Sequence, residues 1–462
     1  MKSKQTRRSF IKTASIAGLG MSVMPNLILS KGHADLNDNI SIAFIGVGGR
    51  GRTHLHNIAQ RKDVTITAIC DIDPDAVVKS QKIIEESGRK KASVYSENEF
   101  AYLDLLERKD IDAVIISTPW LWHTRMAVAS MRAGKYTGIE VSAANTIREC
   151  WDLIDTYEET GTHLMLLENV CYARESMAAL RMLREGLLGI PIHATCGYQH
   201  DLRGVKFNDG NQYHGGGVVF GDNAAGEARW RTQHSLKRDG DLYPTHGIGP
   251  VANWFNIDRK NRFVSLTATS TKSVGLKDYI INHPNGGVDH PNAELNWKLG
   301  DVVTSVIKTA NGESIIVKHD TNLPRPYSWG FELQGSKGIW CGQFEGKRVY
   351  IEGVSEPHEW TTGEEYDNIM KKYDHPLWTR FEREAAGSGH GGIDFFTARA
   401  FVESVKKQIP PPIDVYDAAS WSAITPLSEA SIADGGDSKQ FPDFTRGRWI
   451  NMEPIFGLRD DF

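Results

Sequence analysis

Apolar residues run without interruption from Ile42 to Ile45 and straight into Gly46-Val47-Gly48-Gly49-Arg50-Gly51. A second apolar run, residues 65–70, ends on Asp71. Short unbroken apolar runs closed by glycine or an acid predict strands buried on both faces. Polar and apolar stretches then alternate. A polar helix is expected after Pro74, a short strand near Val94, a helix over 100–108 and a strand over 112–117. A helix after Trp120, a strand over 136–141, a helix over 147–158 and a strand over 163–167 complete the series. Strand and helix in alternation predict a doubly wound parallel sheet covered on both faces, whose ligands bind at the carboxyl ends of the strands.

From about residue 190 the period changes. Residues 263–272, 302–308, 313–319 and 330–334 alternate apolar with polar positions, the mark of an open, mostly antiparallel sheet with one face covered and the other available for a ligand or partner. An irregular stretch rich in glycine and aromatics, 206–241, lies between the two patterns, and its Gly215-Gly216-Gly217 run reads as a loop near the site. Helical patterns over 395–405 and 418–434 are expected to pack back on the body. The reading is an α/β chain in three parts: a leader and linker over 1–38, a Rossmann domain over 39–168, and an α+β open-sheet domain over 169–462 with C-terminal helices.

The glycine run gains meaning from its context. Gly46 permits a tight turn after the strand, Gly48 permits close approach of a pyrophosphate, and Gly51 permits close packing of the next helix, expected to begin near Arg52. Asp71 stands where a carboxylate accepts hydrogen bonds from the adenosine ribose and repels a 2′-phosphate, which favours NAD over NADP. Arg50 pulls the other way, since a guanidinium beside the loop attracts further phosphate.

Charge and composition narrow the partners. Residues 1–38 carry six Lys or Arg against two Asp or Glu, and the remainder is close to −9 within a whole-chain charge of −5. An acidic body argues against nucleic acid or an anionic membrane as partner. No apolar run approaches the roughly 20 residues of a membrane span. The order Arg7-Arg8-Ser9-Phe10-Ile11-Lys12, then a mild apolar stretch to Met24 and Pro25, reads as a twin-arginine export signal. That signal implies a periplasmic protein handled by the twin-arginine machinery. Because that route moves folded proteins, an exported NAD protein must load its cofactor beforehand and recycle it in place. The five cysteines are odd in number and far apart, with neither disulfide nor metal-finger spacing, and read as buried apolar residues. The 16 histidines show no zinc-hydrolase spacing, so no metal is expected.

With Ser117-Thr118-Pro119 after strand four and Glu140 closing strand five, the chain resembles the glucose-fructose oxidoreductase and inositol dehydrogenase superfamily. That superfamily carries Glu-Lys-Pro at the latter place, whereas this chain has Glu140-Val141-Ser142. Further segments are similar to glycoside hydrolase family 109: Trp120-Leu121-Trp122-His123, Glu168-Asn169-Val170-Cys171-Tyr172, Cys196-Gly197-Tyr198-Gln199-His200, Trp230-Arg231 and Tyr243-Pro244-Thr245-His246-Gly247. The resemblance implies an NAD-dependent α-N-acetylgalactosaminidase acting on a carbohydrate or glycan. It sets NAD against Gly49, Arg50, Asp71, Trp120, Leu121, Trp122, His123, Glu140, Val141 and Asn169. It sets the sugar against Tyr198, Arg231, Tyr243, Pro244, Thr245, His246 and Tyr327.

NAD-dependent glycosidases depart from the two-carboxylate scheme. The implied cycle oxidises C3, eliminates the leaving group at C1 with loss of the C2 proton, adds water and reduces C3 again. His246 is the expected acid–base near C3, and Tyr198 or Tyr243 the C2 base if nearby cations lower its pKa. Two other readings stand beside this one: a periplasmic sugar oxidoreductase with a trapped cofactor, and a non-catalytic sugar-binding protein. The open sheet face points to a homodimer.

Overall fold

A computed structural model of the chain describes residues 39–459 and 461–462. The export signal read over residues 1–38 lies outside them. Six strands form an all-parallel sheet in the order β3-β2-β1-β4-β5-β6. They are β1 (Ile40–Ile45), β2 (Val64–Cys70), β3 (Ser93–Tyr95), β4 (Ala113–Ile116), β5 (Tyr136–Ile139) and β6 (Leu164–Leu166). The strand order reverses between β1 and β4, opening a crevice at their carboxyl ends. Every residue of β4 and β5 is buried, as expected where helices cover both faces.

Local chemistry sets the helix ends. Asp73 caps the helix Pro74–Glu86 by accepting from Asp75 N and Ala76 N, with Pro74 at its first position. Thr146 and Glu149 form a capping box on Ile147–Thr160, and Gly161, at φ 68°, ends it.

The second sheet has eight strands in the order β13-β12-β11-β7-β10-β9-β8-β14. They are β7 (Pro191–Gln199), β8 (Phe263–Ser270), β9 (Val302–Thr309), β10 (Ser314–Asp320), β11 (Glu332–Gly335), β12 (Gly338–Cys341), β13 (Arg348–Ile351) and β14 (Lys439–Gln440). Only the pair β7–β10 is parallel, and the sheet is otherwise antiparallel. Alternation is visible in β9, where Val303, Ser305 and Ile307 are buried while Val306 and Lys308 are exposed. The helices Thr245–Trp254 and Ile424–Ala433 lie against β7 and β8.

The helix read over 418–434 is in fact two, Val415–Ser422 and Ile424–Ala433, the first begun by an Asp414–Asp417 capping box. All five cysteines are buried and free. No described helix is long and apolar enough to cross a membrane.

Candidate active site

Glycines shape the cofactor end of the crevice. Gly46 has φ 85°, and a Cβ there would meet the Ser117 carbonyl carbon at 2.7 Å. A Cβ on Gly51 would lie 2.1 Å from Gly46 O, whereas one on Gly48 would meet nothing within 4 Å. The chain turns tightly at Gly46, packs its helix through Gly51, and leaves open space beside Gly48. That helix, Gly49–Ala59, begins three residues earlier than Arg52, where the sequence pattern set it, and no side chain caps it. Its first-turn N–H groups therefore remain for an anion.

Asp71 braces this loop. Its Oδ2 accepts from Val47 N at 2.8 Å and its Oδ1 from Asp73 N at 2.9 Å, while the residue lines the crevice. Burial raises its pKa, and these backbone N–H groups oppose the shift.

Arg50 lines the crevice beside the glycine loop and is also held by two carboxylates. Its Nε donates to Glu140 Oε1 at 2.7 Å, and its Nη1 lies 3.0 Å from Asp394 Oδ1. His54 Nε2 lies 2.5 Å from the same Glu140 oxygen. Asp394 also accepts from Asn169 Nδ2 at 2.8 Å and pairs with His390 Nδ1 at 2.7 Å. Burial alone would push Glu140 and Asp394 upward. The cations and hydrogen bonds outweigh it and hold both carboxyls well below the usual carboxylate range. These two carboxylates offset the Arg50 charge, while the residue still lines the cleft.

The crevice widens into a cleft of about 1850 Å³. Its far wall is aromatic. Tyr198, near the end of β7, stands 4.6 Å from Tyr243 and 5.3 Å from His246 between ring centroids. His246, in the first turn of Thr245–Trp254, is 4.8 Å from Tyr243. The Arg231 guanidinium lies 4.9 Å from the Tyr243 ring and 5.1 Å from the Trp120 ring, with Nη1 on Glu227 Oε2 at 2.5 Å. Trp120 also packs edge-on against Trp230 and His234. Burial holds His234 at about 4, with Arg238 and Arg231 adding to that shift, so it is neutral at neutral pH.

Glu168, next after Leu167 beyond β6, is wholly buried; the sequence sets it in a segment similar to family 109 but assigns it no role. Its two oxygens lie 2.8 and 2.9 Å from His246 Nδ1, and Oε1 also accepts from Val170 N. A carboxylate on Nδ1 fixes the ring and its tautomer, leaving Nε2 as the free nitrogen of His246. Burial pushes the Tyr198 and Tyr243 phenols above their ordinary value, and Arg231 pulls both back in part. The nearby cation does not bring either phenol below its ordinary value.

The remaining sequence candidates divide. Trp120, Leu121, Trp122, Glu140, Val141 and Asn169 line the same cleft as the glycine loop. His123 lines it too but is buried, Nδ1 and Nε2 each 2.7 Å from a carbonyl oxygen, of Ser142 and Thr118. Pro244 and Thr245 form the helix start behind Tyr243 and His246 rather than the cleft wall. Tyr327 also stands off that wall, 6.0 Å from Tyr198, its hydroxyl accepting from Trp329 Nε1.

The dinucleotide fits these residues. Asn169 Oδ1 is a buried acceptor with no partner in the chain, at a cleft wall where ribose or carboxamide donors would satisfy it. The Gly48 approach is clear.

A glycine-loop Rossmann sheet joined to an open mixed sheet defines a two-part dinucleotide-binding fold. Levoglucosan dehydrogenase, solved with NADH and levoglucosan, shares it at a TM-score of 0.62 and 19% identity, covering 88% of this chain and all of that one. The NAD-binding Rossmann oxidoreductase family matches residues 40–167, and the glycosyl hydrolase 109 C-terminal domain matches 172–451. The chain belongs to glycoside hydrolase family 109. It is 49% identical to the alpha-N-acetylgalactosaminidase of Tannerella forsythia, over 98% of this chain and 100% of that protein. It is 46% identical, with the same coverage, to a family 109 protein of Parabacteroides distasonis.

Proposed function

We propose that this glycosidase releases terminal α-linked N-acetylgalactosamine through a redox-neutral cycle at C3, in the periplasm, after twin-arginine export. The observation that carries the reading is the Glu168–His246 pair opening into the same cleft as the glycine loop. The sugar follows from the relative in Tannerella forsythia, whose name states that activity.

Bound NAD supplies the reversible removal of two electrons at C3. The chain's own groups move the protons. His246 Nε2 accepts the C3 hydroxyl proton as that carbon becomes a ketone and returns it when the hydroxyl re-forms. The ketone acidifies the C2 proton. Its removal, with cleavage of the bond from C1 to the leaving oxygen, gives a C1–C2 double bond conjugated with the ketone. Water then adds at C1 and a proton returns to C2; only when C3 has taken back its two electrons, and its hydroxyl proton from His246, does the sugar leave with no net oxidation.

Tyr198 is the C2 base in this scheme. Its raised phenol acts only by passing on its own proton, and His200 Nδ1 lies 3.5 Å from its hydroxyl. Arg231 beside it stabilises the phenolate as it forms and offers a fork of donors to the acetamido carbonyl.

A chromogenic α-N-acetylgalactosaminide in deuterated water tests the scheme, with no NAD or metal added. Aglycone release with deuterium at C2 of the freed sugar is expected. Release without C2 deuterium overturns the mechanism, and oxidation without release would make the protein a sugar oxidoreductase.

A further inference from the structure

The irregular stretch before the helix Arg231–Lys237 contains a closed loop with a defined neck. Asn208 and Val219 exchange backbone hydrogen bonds of 3.1 and 2.9 Å. The wholly buried Asn208 side chain fastens that neck by donating to Ala225 O and accepting from Ala225 N and Gly210 N. Residues 209–218 therefore project as a compact loop with pinned ends, the form of many functional surface loops. Gly210, Gly215 and Gly216 have φ of 87°, 67° and 80°, giving it bends near both ends.

At its tip, Tyr213 reaches the cofactor end of the cleft. A Cβ on Gly49 would come within 2.4 Å of the Tyr213 hydroxyl oxygen, and a Cβ on Gly226 within 2.6 Å of its ring. Gly49 begins the helix whose free N–H groups await a phosphate, so one glycine from the Rossmann part and one from the second part make the slot that admits the ring. Neither glycine tolerates a side chain without displacing it. Burial, with Glu227 adding to it, pushes the phenol up to about 12, so at neutral pH it is a hydrogen-bond donor.

We propose that the 208–219 loop is a latch over the dinucleotide, with the Tyr213 ring seated between Gly49 and Gly226 and its hydroxyl donating to the pyrophosphate. The proposal rests on the NAD-binding fold and not on the sugar chemistry. It gives a physical means for a cofactor to stay on the protein through many turnovers: exchange requires the loop tip to lift.

The test uses the holoprotein as purified, incubated with excess isotopically labelled NAD, with the bound nucleotide followed by mass spectrometry. No sugar is present, so the result is independent of the glycosidase reading. Tyr213→Ala is expected to speed exchange at least about tenfold, and Tyr213→Phe by a smaller factor of several-fold, since a hydrogen bond to a charged group is lost while the ring stays. If Tyr213→Ala fails to fold, by thermal unfolding and circular dichroism, the Phe variant alone decides. Exchange at the wild-type rate in the folded variants overturns the proposal. Slower exchange or tighter NAD in Tyr213→Ala also overturns it, because the ring would then occupy the phosphate position.

Discussion

The proposed chemistry turns on one histidine and on what holds it. His246 stands out in the sequence because Tyr243-Pro244-Thr245-His246 is a distinctive run. Glu168 does not, since an acid just after a strand reads equally well as a helix cap. It is in fact both: one oxygen caps the turn at Val170 N while the pair of oxygens faces His246 Nδ1. Glu168→Gln keeps the size and one acceptor but removes the charge that stabilises an imidazolium. A fall in kcat of about 10²-fold or more is expected, the usual scale for impaired acid–base catalysis. KM should change far less. Steady-state kinetics on the chromogenic substrate, with thermal unfolding to confirm the fold, checks this, and unchanged kcat removes the pair from catalysis. The tyrosines were equally visible in sequence, but their electrostatics were not, because burial depends on partners far along the chain.

At the scale of elements, the site is assembled by segments that the sequence joins only at a distance. The helix Gly49–Ala59, the end of β5 and the helix Ile393–Lys407 meet through Arg50, Glu140 and Asp394. No local period announces such a junction. The parallel strands were legible because their apolar runs are unbroken, whereas β7 was not, although it is central and carries Tyr198. It contains Gly197, where a Cβ would strike Lys318 O at 2.2 Å, and its small residues blur the alternation. A second junction ties the turn before Tyr243 to the helix Ile424–Ala433. Asp241 N donates to Ser428 Oγ, Thr425 Oγ1 donates to Asp241 O, and Tyr243 N donates to Asp241 Oδ1. Burial pushes the Asp241 carboxyl from 3.8 up to about 7, against the pull of Tyr243 N–H. Between those values the folded protein holds a proton that the unfolded chain has lost, so stability is fullest below the lower one and declines as pH rises through the upper. Asp241→Asn is neutral throughout and removes that decline. Melting curves should place the variant a few degrees above wild type at about pH 8, with the gap closing toward about pH 4. Parallel curves at all pH values would show that Asp241 is ionised in the folded protein throughout.

For the whole molecule, the question is how a cofactor and the export proposed above would coexist on one chain. Free NAD is not expected outside the cytoplasm, so under the proposed export the nucleotide would have to be on the protein before it crosses and to survive each turnover. A cycle that returns its electrons to the sugar meets the second condition, because no external acceptor is consumed. The first condition requires that folding and loading precede transport, which the proposed twin-arginine signal at Arg7-Arg8 would provide by routing a folded protein. Replacing residues 1–38 with a signal for the unfolded-export route separates the two requirements. The rerouted protein is expected to reach the periplasm with its chain intact but without NAD, and its glycosidase activity should appear only when NAD is supplied to the purified protein. The native chain should carry about one NAD per subunit and need no addition, as nucleotide extraction and mass spectrometry would read. Full activity and a full complement of NAD in the rerouted protein would show that loading does not depend on the cytoplasm, and the link between signal and cofactor would fail.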